Sequence, residues 1–330
     1  QSMRTSLQLP NDRFRFFPAA WVSGFNGVGR ESVIREYSRD FVPNGQGITI
    51  EVNEATLPKQ LLLRIESEGL GARQERLEEL QSKTYESETK AVSDAVESVV
   101  EAGNFLILRH SRIVEERVEL PEWLNDVVIA LKPATRSKLF IISQIPLPPE
   151  RRAQCRESME TQRIPTIDEH VLKDYCYRLV GHFDQHPERW TEDVVDQVVS
   201  AAAGNVGFLI SLVRTASRIE DFDQLNALIA AEGATIAEQM TMYASWAFMR
   251  LADFPDEQRA LAFLNDVSPC DASDLESIVK PQRSILRVLG KLLELGLVER
   301  EAENLYRLTP LLSNRLNLEL LQPALLDWQR

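Results

Sequence analysis

Cysteine is scarce in this chain. Its three residues, Cys155, Cys176 and Cys270, lie far apart and outside any C-x-x-C spacing. That excludes a disulfide framework and a thiolate zinc cluster, and makes a reducing cytoplasm the simplest compartment. His182 and His186 are four apart and could share a helix face, but Pro187 follows and no further ligand is near, so no metal site is assigned. No apolar run approaches the ~20 residues of a membrane span, and no charged-then-apolar leader opens the chain. The opening Gln1-Ser2-Met3 reads as a tag remnant or a domain cut, which leaves room for flanking domains. Positive charge is in deficit as well: 37 Lys and Arg face 50 Asp and Glu, a net charge of −13 with a pI near 5.0. Such a balance repels phosphate backbones, so nucleic acid is not the expected partner.

What is present is a globular composition, 44% hydrophobic and 26% charged, over a length sufficient for two or three compact domains. Its most informative stretch is Trp21-Val22-Ser23-Gly24-Phe25-Asn26-Gly27-Val28-Gly29-Arg30-Glu31-Ser32-Val33-Ile34. A phosphate-binding loop carries G-x-x-x-x-G-K-[ST] between a buried strand and a helix. Its glycines let backbone N–H groups wrap the phosphates, its lysine neutralises them and its hydroxyl ligates Mg²⁺. Gly24 and Gly29 stand at that spacing, with apolar Pro18 to Val22 before them and a helical stripe of Val33, Ile34 and Tyr37 after. The candidate nucleotide-binding residues are therefore Gly24, Asn26, Gly27, Val28, Gly29, Arg30, Glu31 and Ser32.

The charge-critical positions depart from the pattern. Arg30 keeps the charge of the lysine but is a planar fork, bulkier than an ammonium. Glu31 puts a carboxylate where the metal-ligating hydroxyl belongs; the helix dipole favours it, and a triphosphate would repel it. Ser32 comes one residue late for the metal.

Residues 14 to 150 alternate strand-like and helix-like segments, which predicts an α/β sheet with strands at Ala19 to Ser23, Ile48 to Val52, Phe105 to Leu108 and Leu139 to Ser143. Arg64 to Glu101 reads as solvated crossover helices, and Trp123, Leu124, Val127, Val128 and Leu131 as an amphipathic helix on the sheet. Ile145-Pro146-Leu147-Pro148-Pro149 breaks regular structure, and Ile164-Pro165-Thr166-Ile167-Asp168 opens a helical block, so the first domain ends near residue 165. Glu169 to Leu251 is helical throughout: Val171 to Val180, a helix entered through Thr191-Glu192-Asp193, one after Gly204 and a long one over Met240 to Met249. The last block reads as helices at Glu257 to Leu264 and Asp271 to Ile278. A third opens at Pro281, with Ile285, Leu286, Leu289, Leu292 and Leu293 on one side, and ends at Gly296. Leu297 to Arg300 and Leu305 to Leu308 then form a two-stranded wing, giving a winged helix-turn-helix.

A P-loop α/β domain (residues 1–165), a helical domain (166–252) and a winged-helix domain (253–330) follow in that order. The chain thereby resembles, over nearly its whole length, the signal-transduction NTPases of the NB-ARC and NACHT (STAND) type, relatives of AAA+ ATPases. The family loop reads G-M-G-G-V-G-K-T-T-L-A, against Gly24 to Ile34 here. The family's Walker B strand ends in acids, whereas Phe105-Leu106-Ile107-Leu108 ends in Arg109-His110; Glu115 and Glu116 lie a few residues on. Its sensor strand ends T-S-R, against Ile142-Ser143-Gln144. Its G-L-P-L turn is matched by Gly204-Asn205-Val206-Gly207 without the proline, and its M-H-D motif by a frame with Thr309 and Pro310 in place of His and Asp.

The resemblance implies a regulatory and oligomerisation core with degenerate Walker motifs. No catalytic residue is assigned, hydrolysis is little or none, and binding of ATP or ADP is weak at most. It also implies flanking effector and sensor domains of a larger chain, such as Toll/interleukin-1 receptor domains in bacterial defence, and a homo-oligomer on activation. Two other readings stand beside it. An active switch ATPase would use Arg30 with Glu115 or Glu116. A winged-helix DNA-binding regulator would use Arg283, Arg287 and Lys291, a spacing that equally describes a solvated helix face.

Overall fold

The computed structural model describes residues 17–25, 27–39, 42, 44–52, 56–67, 85–110, 122–131, 138–147, 152, 154–155, 158–219, 224, 227–229, 231, 234, 243–244, 247–279 and 284–312. The chain folds into two compact units. The first combines residues up to Gly24 with Gly29–Ile164, and the second combines Phe25–Val28 with the residues from Pro165 onward.

The first unit is a parallel sheet with flanking helices, as a P-loop α/β domain requires. Its strands are β1 (Ala19–Ser23), β2 (Gly47–Val52), β3 (Phe105–His110), β4 (Leu139–Ser143) and β5 (Met159–Arg163), in the order β2-β3-β4-β1-β5. All four pairings are parallel. The helices are α1 (Arg30–Arg39), α2 (Pro58–Ser67), α3 (Tyr85–Glu101) and α4 (Glu122–Ala130).

β1 and β4 are buried at every position, which explains why both are near-continuous apolar runs. The pleat divides the sheet's side chains. Ala19, Trp21, Ile48, Ile50, Leu106, Leu108, Leu139 and Ile141 join Leu61, Val96, Leu124 and Val127 of α2, α3 and α4 in one core. Residues of opposite parity, among them Val22 and Phe140, meet Val33, Ile34 and Tyr37 of α1 on the other face. Each such buried aliphatic side chain contributes about 2 kcal/mol through water exclusion.

Two features of this unit differ from expectation. β3 runs two residues past Leu108 and takes in Arg109 and His110. β5 carries no apolar period: its sequence is Met-Glu-Thr-Gln-Arg and only Met159 is buried. As an edge strand it needs one partner, β1, and no second apolar face.

In the second unit α5 (Glu169–Phe183), α6 (Glu192–Ala202) and α7 (Val206–Ala216) pack against one another. Asp184 ties them: its Oδ2 accepts from Arg189 Nε (2.8 Å) and Nη2 (2.6 Å) and from Trp190 Nε1 (2.6 Å). Arg189 in turn donates to the Ala216 carbonyl at the end of α7 and to the Ile219 carbonyl just beyond it. Of the long helix expected at Met240 to Met249, residues 243–244 and 247–249 are described and helical.

Next come α8 (Pro255–Asp266), the two-residue β6 (Cys270–Asp271), α9 (Ala272–Glu276), α10 (Ile285–Glu294), β7 (Val298–Arg300) and β8 (Leu305–Leu308). The strands form a three-stranded antiparallel sheet, β6-β8-β7, rather than a two-stranded one. Asp271 starts α9 through a capping box with Asp274. The expected apolar side of α10 is corrected too: Ile285, Val288, Leu289 and Leu292 are buried, whereas Leu286 is 66% exposed. At 100° per residue Leu286 falls off the stripe that Ile285 and Val288 share. Pro281 lies outside the described residues, and α10 is preceded by Ser284. Gly296 follows the helix with φ 67°, the left-handed C′ conformation that ends it. Among the described residues no helix is long and apolar enough to cross a membrane.

Candidate functional site

The glycine loop leaves the carboxyl end of β1, where the strand order reverses: the chain next crosses to β2 at one edge, and β5 is added on the other side of β1. That crevice is the ligand position of open α/β sheets. Gly24, Gly27 and Gly29 have φ of 151°, 86° and 87°. Asn26 lies outside the described residues.

The loop is divided between the two units. Gly24 and Gly29 to Ser32 belong to the first; Phe25, Gly27 and Val28 belong to the second. In the second, the Gly207 N–H at the start of α7 donates to the Gly27 carbonyl at 2.7 Å. A Cβ on Gly27 would come within 2.3 Å of Asn205 Oδ1, and one on Gly207 within 2.9 Å of Gly27 Cα. Asn205 is itself held, as the N-cap of α7 accepting from Phe208 N at 3.0 Å. The Phe25 ring packs edge-on against Tyr243 at 4.9 Å, and Tyr243 donates to the Leu295 carbonyl at the end of α10. The Val28 N–H turns back to Phe25 O at 3.4 Å. Gly27 is thus required by a close backbone approach as much as by its φ.

In the first unit Glu31 is the centre of a polar network. Its Oε1 accepts from Arg35 Nη2 (2.6 Å), Arg35 Nε (3.0 Å) and Thr49 Oγ1 (3.0 Å), and its Oε2 accepts from Arg109 Nη2. Arg35 also donates to Gly47 O (3.0 Å) and Thr49 Oγ1 (3.1 Å), and Arg109 Nη1 lies 3.7 Å from Glu51 Oε1. Pleat parity brings these groups together. Thr49, Glu51 and Arg109 have the parity opposite to the Ile48, Ile50 and Leu108 core, so they point to the α1 face, and Glu31 and Arg35 share one side of α1 at i,i+4. Burial pushes the Glu31 carboxyl up, but the hydrogen bonds from Arg35, Arg109 and Thr49 outweigh it and hold it below its ordinary value.

Arg30 opens α1 and is buried. Burial, then the neighbouring charges of Arg109 and Arg163, pull its guanidinium down to about 10, so it remains a cation at neutral pH. Ser32 is exposed.

A magnesium ion does not fit these residues. In P-loop proteins the loop hydroxyl and a strand carboxylate hold it. Here the loop position carries a carboxylate already accepting four hydrogen bonds, and the strand position carries a guanidinium. The remaining family landmarks are similarly reassigned. Ser143 Oγ accepts from Ile145 N at 3.2 Å. Thr309 is fully buried and donates to Gly296 O at 2.8 Å. Glu115, Glu116 and Arg283 lie outside the described residues. Arg287 is exposed, whereas Lys291 Nζ sits 3.9 Å over the Phe254 ring. His182 and His186 do not share a helix, because α5 ends at Phe183; His182 packs on Phe183 and His186 lies 3.2 Å from Glu188.

One feature the sequence reading missed is the buried Glu299 of β7. It accepts from Thr166 N (2.9 Å) and Thr166 Oγ1 (2.7 Å) and from Arg307 Nη2 (3.3 Å), and Arg307 reaches Asp168 at 3.1 Å. A carboxylate at a buried strand position was the available signal.

No protein-family model matches the sequence, and neither does any curated protein sequence. Among solved structures, the chain is similar to Cdc6p from Pyrobaculum aerophilum, at 12% identity over 95% of this chain and 89% of that one, with a TM-score of 0.37. It is also similar to a signal-transduction ATPase with numerous domains and a tetratricopeptide-repeat sensor from Pyrococcus horikoshii. There the identity is 14% over 94% of this chain and 42% of that one, with a TM-score of 0.41. A RuvB variant from Thermotoga maritima gives 9% identity, 93% and 91% coverage and a TM-score of 0.38. Likeness at this level carries nothing about activity; the P-loop assignment of the first unit rests on its sheet, loop and helix.

Proposed function

We propose that the chain is the regulatory and assembly core of a P-loop NTPase-like signalling protein of the AAA+-related NB-ARC and NACHT type, without appreciable hydrolysis. One observation carries this reading: in a loop that keeps its glycine frame, the metal-ligand position is held by Glu31, whose carboxylate accepts from Arg35, Thr49 and Arg109. Such a loop keeps a phosphate-binding backbone but lacks the metal electrostatics of phosphoryl transfer, which supports a regulatory role over a hydrolytic one. The second unit is then a helical domain (166–252) and a winged helix (253–330), used for packing and protein contact.

In this reading the core sits in a cytoplasmic protein between effector and sensor domains, self-associates on activation, serves defence signalling, and holds ATP or ADP weakly if at all. The cation–π contact of Lys291 supports protein packing over DNA reading, since it engages one of the two basic side chains of α10, Arg287 and Lys291.

The test combines turnover with sedimentation velocity on the chain. Expected are no ATP or GTP hydrolysis above background and self-association that rises with concentration. Turnover abolished by Arg30→Ala, or a chain that stays monomeric at every concentration with and without ATP, overturns the reading.

A further inference from the structure

We infer that the Glu31–Arg109 ion pair stands in the place of the divalent cation, so that the loop is completed without metal and excludes one. The inference rests on the P-loop reading of the first unit and not on the assembly role.

The argument is one of valence and of position. A carboxylate offers about four lone-pair sites. On Glu31, Oε1 accepts two bonds from Arg35 and one from Thr49 and is fully used, while Oε2 accepts one from Arg109, so the one site left lies beside a cation that repels a metal. Oxygen ligands to Mg²⁺ must be free to approach to about 2.1 Å in octahedral geometry, which requires displacing the Arg109 cation at Oε2 or breaking the three bonds to Oε1. The cation a metal would bring is already supplied: Arg109 reaches from the end of β3 to the start of α1, between Glu31 and Glu51. A P-loop metal joins the loop helix to the same strand through a hydroxyl and an acid. The chain makes that link with the charges inverted, acid on the helix and cation on the strand. A guanidinium is a covalently attached cation that is protonated at neutral pH, so the link depends on no diffusible ion, where a metal–nucleotide link comes and goes. Glu31 and Arg109 therefore form one inverted pair.

The experiment adds Mn²⁺ alone and Mn²⁺ with ATP to the full chain, following free Mn²⁺ by electron paramagnetic resonance and ATP affinity by calorimetry in Mn²⁺ or EDTA. For the wild-type chain the expected result is no uptake of Mn²⁺ and no gain in ATP affinity from the metal. The double variant Glu31→Thr/Arg109→Asp restores hydroxyl and acid, and should gain Mn²⁺-dependent ATP binding of about tenfold or more. Arg109→Asn is the milder variant. It frees Glu31 Oε2 while Arg35 and Thr49 still hold Oε1, and it should take up Mn²⁺ above wild type even where the double variant fails to fold. Metal-dependent binding by the wild type overturns the inference. So does a folded double variant, or a folded Arg109→Asn, that takes up no more metal than wild type. Sedimentation is read separately, so a failure here and a failure of the assembly reading are distinguishable.

Discussion

Phe25 to Val28 and Arg30 to Arg35 are separated by a single glycine, yet their anchors have little physics in common. The first segment is held by close packing in the second unit: a backbone hydrogen bond from Gly207, an asparagine against Gly27 and an aromatic edge on Tyr243. The second is held in the α/β unit by part-exposed charge, Glu31 with Arg35 and Arg109, whose side chains are 26%, 41% and 44% exposed. Steric anchors of the first kind are short-ranged and indifferent to salt. Charge anchors of the second kind are screened and titrate. A loop built this way has one end that responds to its solution conditions and one that does not.

The largest effect expected is at Gly27. Gly27→Ala meets both a left-handed φ and Asn205 Oδ1, and should cost about 3 kcal/mol in urea denaturation. Gly29→Ala has a φ of the same sign but nothing within 4 Å of the new Cβ, so about 1 kcal/mol is expected. Equal costs at the two glycines would mean that packing on Asn205 contributes nothing.

Smaller is the coupling of Glu31 to Arg109. A double-mutant cycle with Glu31→Gln and Arg109→Gln should return about 0.5–1 kcal/mol, discounted for the exposure of both partners. That coupling should shrink in about 1 M NaCl, while the Gly27→Ala cost stays constant. A salt-independent coupling would break the contrast between the two anchors.

The pH dependence sharpens the same point. The folded Glu31 carboxyl lies below its unfolded value, so its contribution is fully present above the unfolded value and is lost as pH falls through the folded one. The stability difference between wild type and Glu31→Gln should therefore be constant from about pH 7 down to about pH 5 and then shrink as the solution becomes more acid. A difference that grows in acid would reverse the assigned direction. Gly27→Ala should show no such profile.

Local signals made much of this molecule legible. β1 and β4 were readable to the residue because both are short apolar runs bounded by turn signals. The helix after the loop was readable from Val33, Ile34 and Tyr37. β5 was hidden, since an edge strand of Met-Glu-Thr-Gln-Arg has no apolar period to detect. β6 was hidden because two residues carry no period at all. Leu286 was misplaced because a leucine at the wrong helical phase looks, in a list of leucines, like its neighbours.

Glu31, Arg109 and the glycine frame could be named from the sequence alone, because spacing and chemical type are properties of the chain. That Glu31 and Arg109 are partners could not. They are 78 residues apart, and their meeting depends on β2 lying beside β3 and on the pleat turning Thr49, Glu51 and Arg109 to the α1 face. The division of the loop between two units is likewise a tertiary decision. A glycine's permitted φ is local, but what approaches a glycine closely, here Asn205 and Gly207, is set only once distant segments have packed.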